Sequence, residues 1–303
     1  MTLGINGIRA GITRALAPRT VPKIRVGGIG DAHANKKWVE WADRLSSQCD
    51  YMVSLGDLID RGHNNQAVVD KAMAMHERGK LVPLWGNHEL LFAQAMFEDE
   101  WALATWIENG GNSTIAEFRV PMYKRILSAI IGFDPKQQRI LDRYAMWMTE
   151  NFKLFHIDEL GAMYIHTGIP LDEQGELDIS YAGFQGLEAL KKAENDIREA
   201  FRTRDMQHPV FYFLNSSNDS FMWQRSWLER MISNGTSKKV VDALGVNMIV
   251  FGHLSSRGII NIDNRVWGID ARMHKGEGCI FVNTPGHVII ESFHDGRSVI
   301  NKP

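Results

Sequence analysis

The sequence predicts an α/β fold, with two β-sheets stacked as a sandwich, helices on the outside and a helical insertion at about residues 90–155. Three observations carry this expectation. Five apolar runs each give way to a loop with an Asp, Asn or His at the boundary. In the first half these runs alternate with stretches of helical periodicity, as in crossover connections between parallel strands. After residue 253 the pattern changes to alternating segments joined by turn signals, which is the mark of antiparallel hairpins.

The elements follow in order. KIRVGGIGD (residues 23–31) reads as a buried strand, and Trp38, Trp41 and Leu45 then recur at spacings that place them on one helix face. YMVSLGD (51–57) is a second strand, followed by a helix over about 66–78 and a third strand, LVPLWG (81–86). Asp31, Asp57 and Asn87 close these strands at separations of 26 and 30 residues, each enough for one right-handed strand-helix-strand unit. Long helical stretches rich in Trp and Met, with WIENGG at 106–111, fill residues 90–155. A fourth strand ends at His166, a polar helix covers about 187–204, and VNMIVFGH (246–253) is a fifth buried strand. Segments 259–269 and 278–293 alternate, with turns at Asp263-Asn264 and Thr284-Pro285-Gly286.

Composition bounds the function classes. With 44% hydrophobic and 23% charged residues, the 303-residue chain has the make-up of a soluble globular protein with a large core. The apolar runs span both halves, so one domain over 23–303 is expected, preceded by an arm at 1–22. The first 30 residues carry Arg9, Arg14, Arg19, Lys23 and Arg25 and no acid, but neither the Ser-rich character of a transit peptide nor the apolar core of a signal sequence. No apolar stretch is long enough to span a membrane. Cys49 and Cys279 follow no metal-ligand pattern, and reduced thiols in a cytoplasmic protein are expected. The net charge of −2 selects no partner class.

The strings GDAHAN (30–35), GDLIDRG (56–62), GNHE (86–89), YIHTG (164–168) and FGH (251–253) occur in that order. Together they resemble the calcineurin-like metallophosphoesterases. Within these, the match is to the phosphoprotein phosphatase branch, which includes small bacterial and phage protein phosphatases and symmetrical dinucleoside tetraphosphate hydrolases. One short string would be weak evidence, whereas five in order across residues 23–290 are specific. The resemblance implies that Asp31 and His33 bind one divalent ion, Asn87, His166 and His253 a second, and Asp57 both. The donor mixture suits Mn²⁺ best, with Fe or Zn²⁺ as alternatives, and does not suit Ca²⁺. Two carboxylates leave two dications in charge excess, which polarises a phosphoryl group and lowers the pKa of a bridging water, so attack by a metal-bridging hydroxide is implied. By the same resemblance His88 is the proton donor, oriented by Asp60. Arg61 is a phosphate clamp, and Arg225 in MWQRSW is a second.

Each residue also has a structural reading. A single Asp or Asn at a strand end caps a helix or closes a turn, His166 and His253 could be core histidines, and Asp60 with Arg61 could be a surface ion pair. Arg225 could simply stack between two Trp residues. His63, Arg257, Asp270, Arg272 and His274 are candidates for the mouth or for solvated loops, and His76, His156, His208, His287 and His294 take structural roles. The chain departs from the family pattern at Ala34 and Asn35, where Gly usually follows the histidine, and at His63, where Pro is common. It also lacks a second His after FGH, which favours phosphomonoesters over phosphodiesters. Phosphatase activity on phosphoproteins or small phosphate esters is the leading expectation, a dinucleoside polyphosphate or nucleotide hydrolase the alternative, and a non-catalytic binding module the third. Neither stable nucleic-acid binding, nor a membrane, nor a regulatory subunit is implied.

Overall fold

The computed structural model describes residues 23–118, 135–216, 220–272, 275, 277–292 and 296–302. The arm at 1–22, part of the helical stretch, His274 and His294 lie outside the described residues.

The chain starts with the predicted crossovers. Strand β1 (Val26–Ile29), helix α1 (Lys36–Ser46), strand β2 (Tyr51–Ser54), helix α2 (Asn65–Glu77) and strand β3 (Leu81–Pro83) alternate. β1 pairs parallel with β2, and β2 with β3. Trp38, Trp41 and Leu45 are the buried face of α1, and each such side chain contributes roughly 1.5–3 kcal/mol of burial. Asn35 caps α1, accepting the Lys37 N–H at 2.9 Å. Helix α3 (Asn87–Met96) is buried along its whole length and leads to α4 (Glu100–Trp106), a π turn at Ile107–Gly111, α5 (Asn112–Glu117) and α6 (Pro135–Asn151).

Next come β4 (Phe155–Ile157), β5 (Ala162–Ile165), the short ribbon β6 (Ser180–Tyr181) with β7 (Phe184–Gln185), and α7 (Gly186–Thr203). Helices α8 (Pro209–Asn215), α9 (Trp227–Asn234) and α10 (Ser237–Leu244) precede β8 (Met248–Phe251). Five strands follow among the described residues: β9 (Ile260–Ile262), β10 (Val266–Gly268), β11 (Cys279–Thr284), β12 (His287–Ser292) and β13 (Gly296–Asn301). Both expected hairpins form. Asp263 and Asn264, with φ of 51° and 55°, turn the chain between β9 and β10, where Ile262 pairs with Val266 across a three-residue loop.

Two main sheets result, ordered β13-β12-β11-β1-β2-β3 and β4-β5-β8-β10-β9. Their facing sides share one buried cluster, with Val26, Val53, Leu55 and Phe281 against Tyr164, Val250, Trp267 and Ile269. Phe281 meets Tyr164 edge-on at 6.5 Å and Trp267 at 5.8 Å between ring centroids. β1 can lie this close because it is Val-Gly-Gly-Ile. A Cβ on Gly28 would sit 3.2 Å from Ile269, and one on Gly27 would sit 2.8 Å from Leu45 of α1. The strands are shorter than the apolar runs that predicted them, because the last residues of each run leave the ladder to form the loops of the site. Cys49 and Cys279 are buried free thiols. No helix among the described residues is long and apolar enough to cross a membrane.

Candidate metal centre

The carboxyl ends of β1, β2 and β3 meet those of β5 and β8, where open α/β sheets collect ligands. The backbone there is unusual. His33, Asp57, Asp60, Arg61 and His253 all have positive φ, from 43° to 73°, a region that costs an L-residue roughly 1–2 kcal/mol. Ala34 joins them at 52°, so the loop that lacks the usual glycine turns through two consecutive left-handed residues instead. Hydrogen bonds hold these loops. The Ala32 and His33 N–H groups donate to Asp57 O at 3.0 and 2.8 Å, and Ala34 N–H to Leu58 O. Buried Glu89 accepts from Asp57, Leu58, Ile59 and Gly86 N–H at 2.7–3.2 Å. Glu89 was not singled out from the sequence. Its signal is its position three residues after Gly86, where a Glu side chain folds back on a helix start.

Asp57 lies at the middle. Two sets of potential donor atoms, each within 4.8 Å of one another, share it: His33-Asp57-His88 and Asp57-His166-His253. His33 Nε2 is 3.6 Å and His166 Nε2 3.4 Å from its carboxylate oxygens. His33 Nδ1 donates to Ile59 O at 3.2 Å and His166 Nδ1 to Leu55 O at 2.6 Å. A carbonyl only accepts, so each ring has its proton on Nδ1 and presents an Nε2 lone pair to the interior. His166 Nε2 therefore faces Asn87 Oδ1 at 3.0 Å, acceptor against acceptor. The buried His253 Nε2 and Asn87 Nδ2 have no hydrogen-bond partner. A cage of lone pairs and one carboxylate, with the His33 and His166 rings fixed through their other nitrogens, fits a divalent cation.

The electrostatics agree. Burial drives the His33 and His253 imidazoles well below their ordinary pKa and lowers that of His166, a shift toward the neutral form that ligation requires. Burial alone would raise Asp57, but His166, His88, His33 and Arg61 hold it well below the ordinary carboxylate range. Burial, then Asp270, then Asp57 push the Asp31 carboxyl well above its usual value, a cost that a neighbouring cation would relieve.

Asp31 is in neither donor set. Both its oxygens accept the His253 backbone N–H at 3.1 Å. Gly252 permits this approach, since a Cβ there would stand 2.4 Å from Asp31 Oδ1. Gly252→Ala is accordingly expected to displace the Asp31 carboxylate and weaken metal affinity about tenfold, the scale of a disturbed ligand support. Metal titration followed by calorimetry checks this, and unchanged affinity in a folded variant contradicts it.

His88 is fully buried, with Nδ1 2.7 Å from Asp60 Oδ2 and Nε2 3.9 Å from Asp57 Oδ2. Burial opposes its charge, yet Asp57 and the Asp60 hydrogen bond outweigh that and raise its pKa. Arg61 is exposed, and its guanidinium donates to His33 Nε2 at 2.7 Å, a cation resting on a lone pair of the cage. Arg225 is also exposed, near enough for its charge to contribute to the depression of His253. Trp223 beside it meets His253 edge-on at 6.4 Å. Of the mouth candidates, His63 and Arg257 are exposed, while buried Asp270 accepts the Arg272 N–H at 3.2 Å. The structural histidines behave as expected: His76 bonds Leu81 O and Asn151, His156 bonds Tyr51, and His208 caps α8. His287 opens β12.

The family model for calcineurin-like phosphoesterases matches residues 24–256. The chain belongs to the calcineurin-like phosphoesterase family. It is accordingly a metal-dependent phosphoester hydrolase, and the matched span contains every motif from GDAHAN to FGH. No curated protein matches the sequence. Among solved structures, the cold-active protein-tyrosine phosphatase of the psychrophile Shewanella sp. is similar at TM-score 0.60 and 16% identity, covering 92% of this chain and 81% of that one. A protein serine/threonine phosphatase from Saccharomyces cerevisiae is similar at TM-score 0.52 and 12% identity, covering 90% and 80%. At such identities the likeness is one of fold, and both neighbours of this calcineurin-like phosphoesterase are protein phosphatases.

Proposed function

We propose that this calcineurin-like phosphoesterase is a dinuclear phosphatase that hydrolyses phosphomonoesters of proteins or small molecules. The observation that carries the reading is Asp57, one carboxylate shared by two donor sets. Asp31 and His33 would hold one ion, Asn87, His166 and His253 the other, with Asp57 between them. The mixture of imidazole, amide and carboxylate donors favours Mn²⁺. When bound, such ions supply Lewis-acid polarisation of the phosphoryl group and an activated water.

The chain's own residues do the rest. Arg61, on its exposed stem, offers a planar fork to two phosphate oxygens, and doing so requires it to leave His33. Arg225, whose charge reaches His253, would be a second fork. His88 gives the Nε2 proton to the departing ester oxygen while its Nδ1–H stays with Asp60, which fixes the ring. Metal-stripped protein is expected to be inactive and to recover on addition of Mn²⁺. It should hydrolyse p-nitrophenyl phosphate and a phosphoserine peptide faster than dinucleoside tetraphosphates or phosphodiesters. Full turnover without metal, or turnover of diesters or dinucleotides alone, would overturn the proposal.

A further inference from the structure

We infer that the segment from Trp106 to Glu117 is a positioning device that sets the Asp60-Arg61 pair, so that Trp106 and Thr114 support proton donation without touching substrate. The inference rests on the assignment of His88 as the proton donor. Asp60 is fully buried, and His88 is only one of its partners. Trp106 Nε1 donates to Asp60 Oδ2 at 2.7 Å, the same distance as His88 Nδ1, and the Thr114 hydroxyl donates to Oδ1. Both carboxylate oxygens are thus held from the helical segment, leaving the plane of the group, and hence the direction in which it pulls His88, little freedom. A carboxylate bonded only to the imidazole could rotate about its χ2, which is a soft torsion.

The geometry of the segment accounts for this reach. On an unbroken α-helix, two residues eight apart lie about 80° apart around the axis, so Trp106 and Thr114 would point to different neighbours. The π turn at Ile107–Gly111, with Gly110 at φ 113°, breaks the helix and brings both onto one carboxylate. Gly111 lets the chain pass against the indole, where a Cβ would stand 2.5 Å from Trp106. Gly110 does the same for the arginine: a Cβ there would be 2.9 Å from Arg61 Cγ, and Gly110 O accepts the Arg61 N–H at 3.4 Å. Glu117 fixes the far end, accepting Asn65 N–H and Nδ2 and Gln66 N–H at 2.7–3.0 Å, while Asn65 Oδ1 accepts the Asp60 N–H at 2.8 Å. Asp60 and Arg61, both in left-handed conformations, are therefore braced from two sides.

The test exploits leaving-group chemistry. Loss of proton donation slows expulsion of a basic alkoxide or phenoxide and hardly affects an acidic nitrophenolate, whereas a general loss of fold or metal slows both alike. The steady-state kcat of Thr114→Val and Trp106→Phe, loaded with Mn²⁺, is compared on phenyl phosphate and 2,4-dinitrophenyl phosphate. The ratio of the two kcat values is expected to fall about tenfold in each variant, the scale of one hydrogen bond to a charged group. Thr114→Ser, which keeps the hydroxyl, should restore it. His88→Asn is run beside them. If its ratio falls while those of Thr114→Val and Trp106→Phe match the parent, the positioning role is wrong and the acid assignment stands. If the His88→Asn ratio does not move, the acid assignment fails and takes the inference with it.

Discussion

Asparagine in place of His88 is expected to lower turnover of phosphomonoesters about a hundredfold or more and to leave the bound metal unchanged, the usual effect of losing a general acid. The substitution is informative because His88 has two possible roles. Its Nε2 falls within one donor set with His33 and Asp57, close enough to be read as a ligand, yet its Nδ1 is engaged by a buried carboxylate. A proton donor and a metal ligand lose different things on mutation. Turnover and metal content measured on one sample separate them: loss of an ion alongside activity makes His88 a ligand, and full turnover in a folded variant removes it from the chemistry.

The larger effect is expected at Asp57. Asp57→Asn should release both ions together and reduce activity to background, because it replaces the one carboxylate shared by the two donor sets with a neutral amide. The fold should survive. Asn is among the few residues at ease in the left-handed region, and Asp57 adopts φ 50°. Elemental analysis of the purified variant checks this, and one ion retained at full occupancy shows that Asp57 does not bridge.

Much of this centre could be read from the sequence, for a physical reason. Apolar runs of strand length that end abruptly in Asp, Asn or His are periodic local signals, and the crossover spacings follow from chain geometry. The places of Asp31, Asp57, Asn87, His166 and His253 at strand ends were accessible in that way, whereas their grouping as candidate ligands came from the order of the motifs. The contacts of Asp60 were not, because Trp106 and Thr114 reach it across 46 and 54 residues through a helix break that no periodicity announces. Nor could sequence indicate that Glu89 is buried beneath four N–H groups, since a Glu near a helix start usually faces water. Left-handed backbone at His33 and Ala34 was hidden as well, because composition signals that conformation only where glycine supplies it. Asp31 and Arg61 illustrate another limit: motif membership brought them to the site, but their present partners, the His253 N–H and the His33 ring, depend on side-chain rotation.

The candidate donors do not all belong to the same layer. Asp31, Asp57 and Asn87 follow strands of one sheet, and His166 and His253 follow strands of the other. Elsewhere the layers meet through interlocked aromatic and aliphatic side chains. A cation gripped from both sides would act as a rivet at one end of that seam, so that resistance to unfolding would grow with the logarithm of free metal over its dissociation constant. Metal scarcity would then shorten the lifetime of the protein itself as well as silencing it.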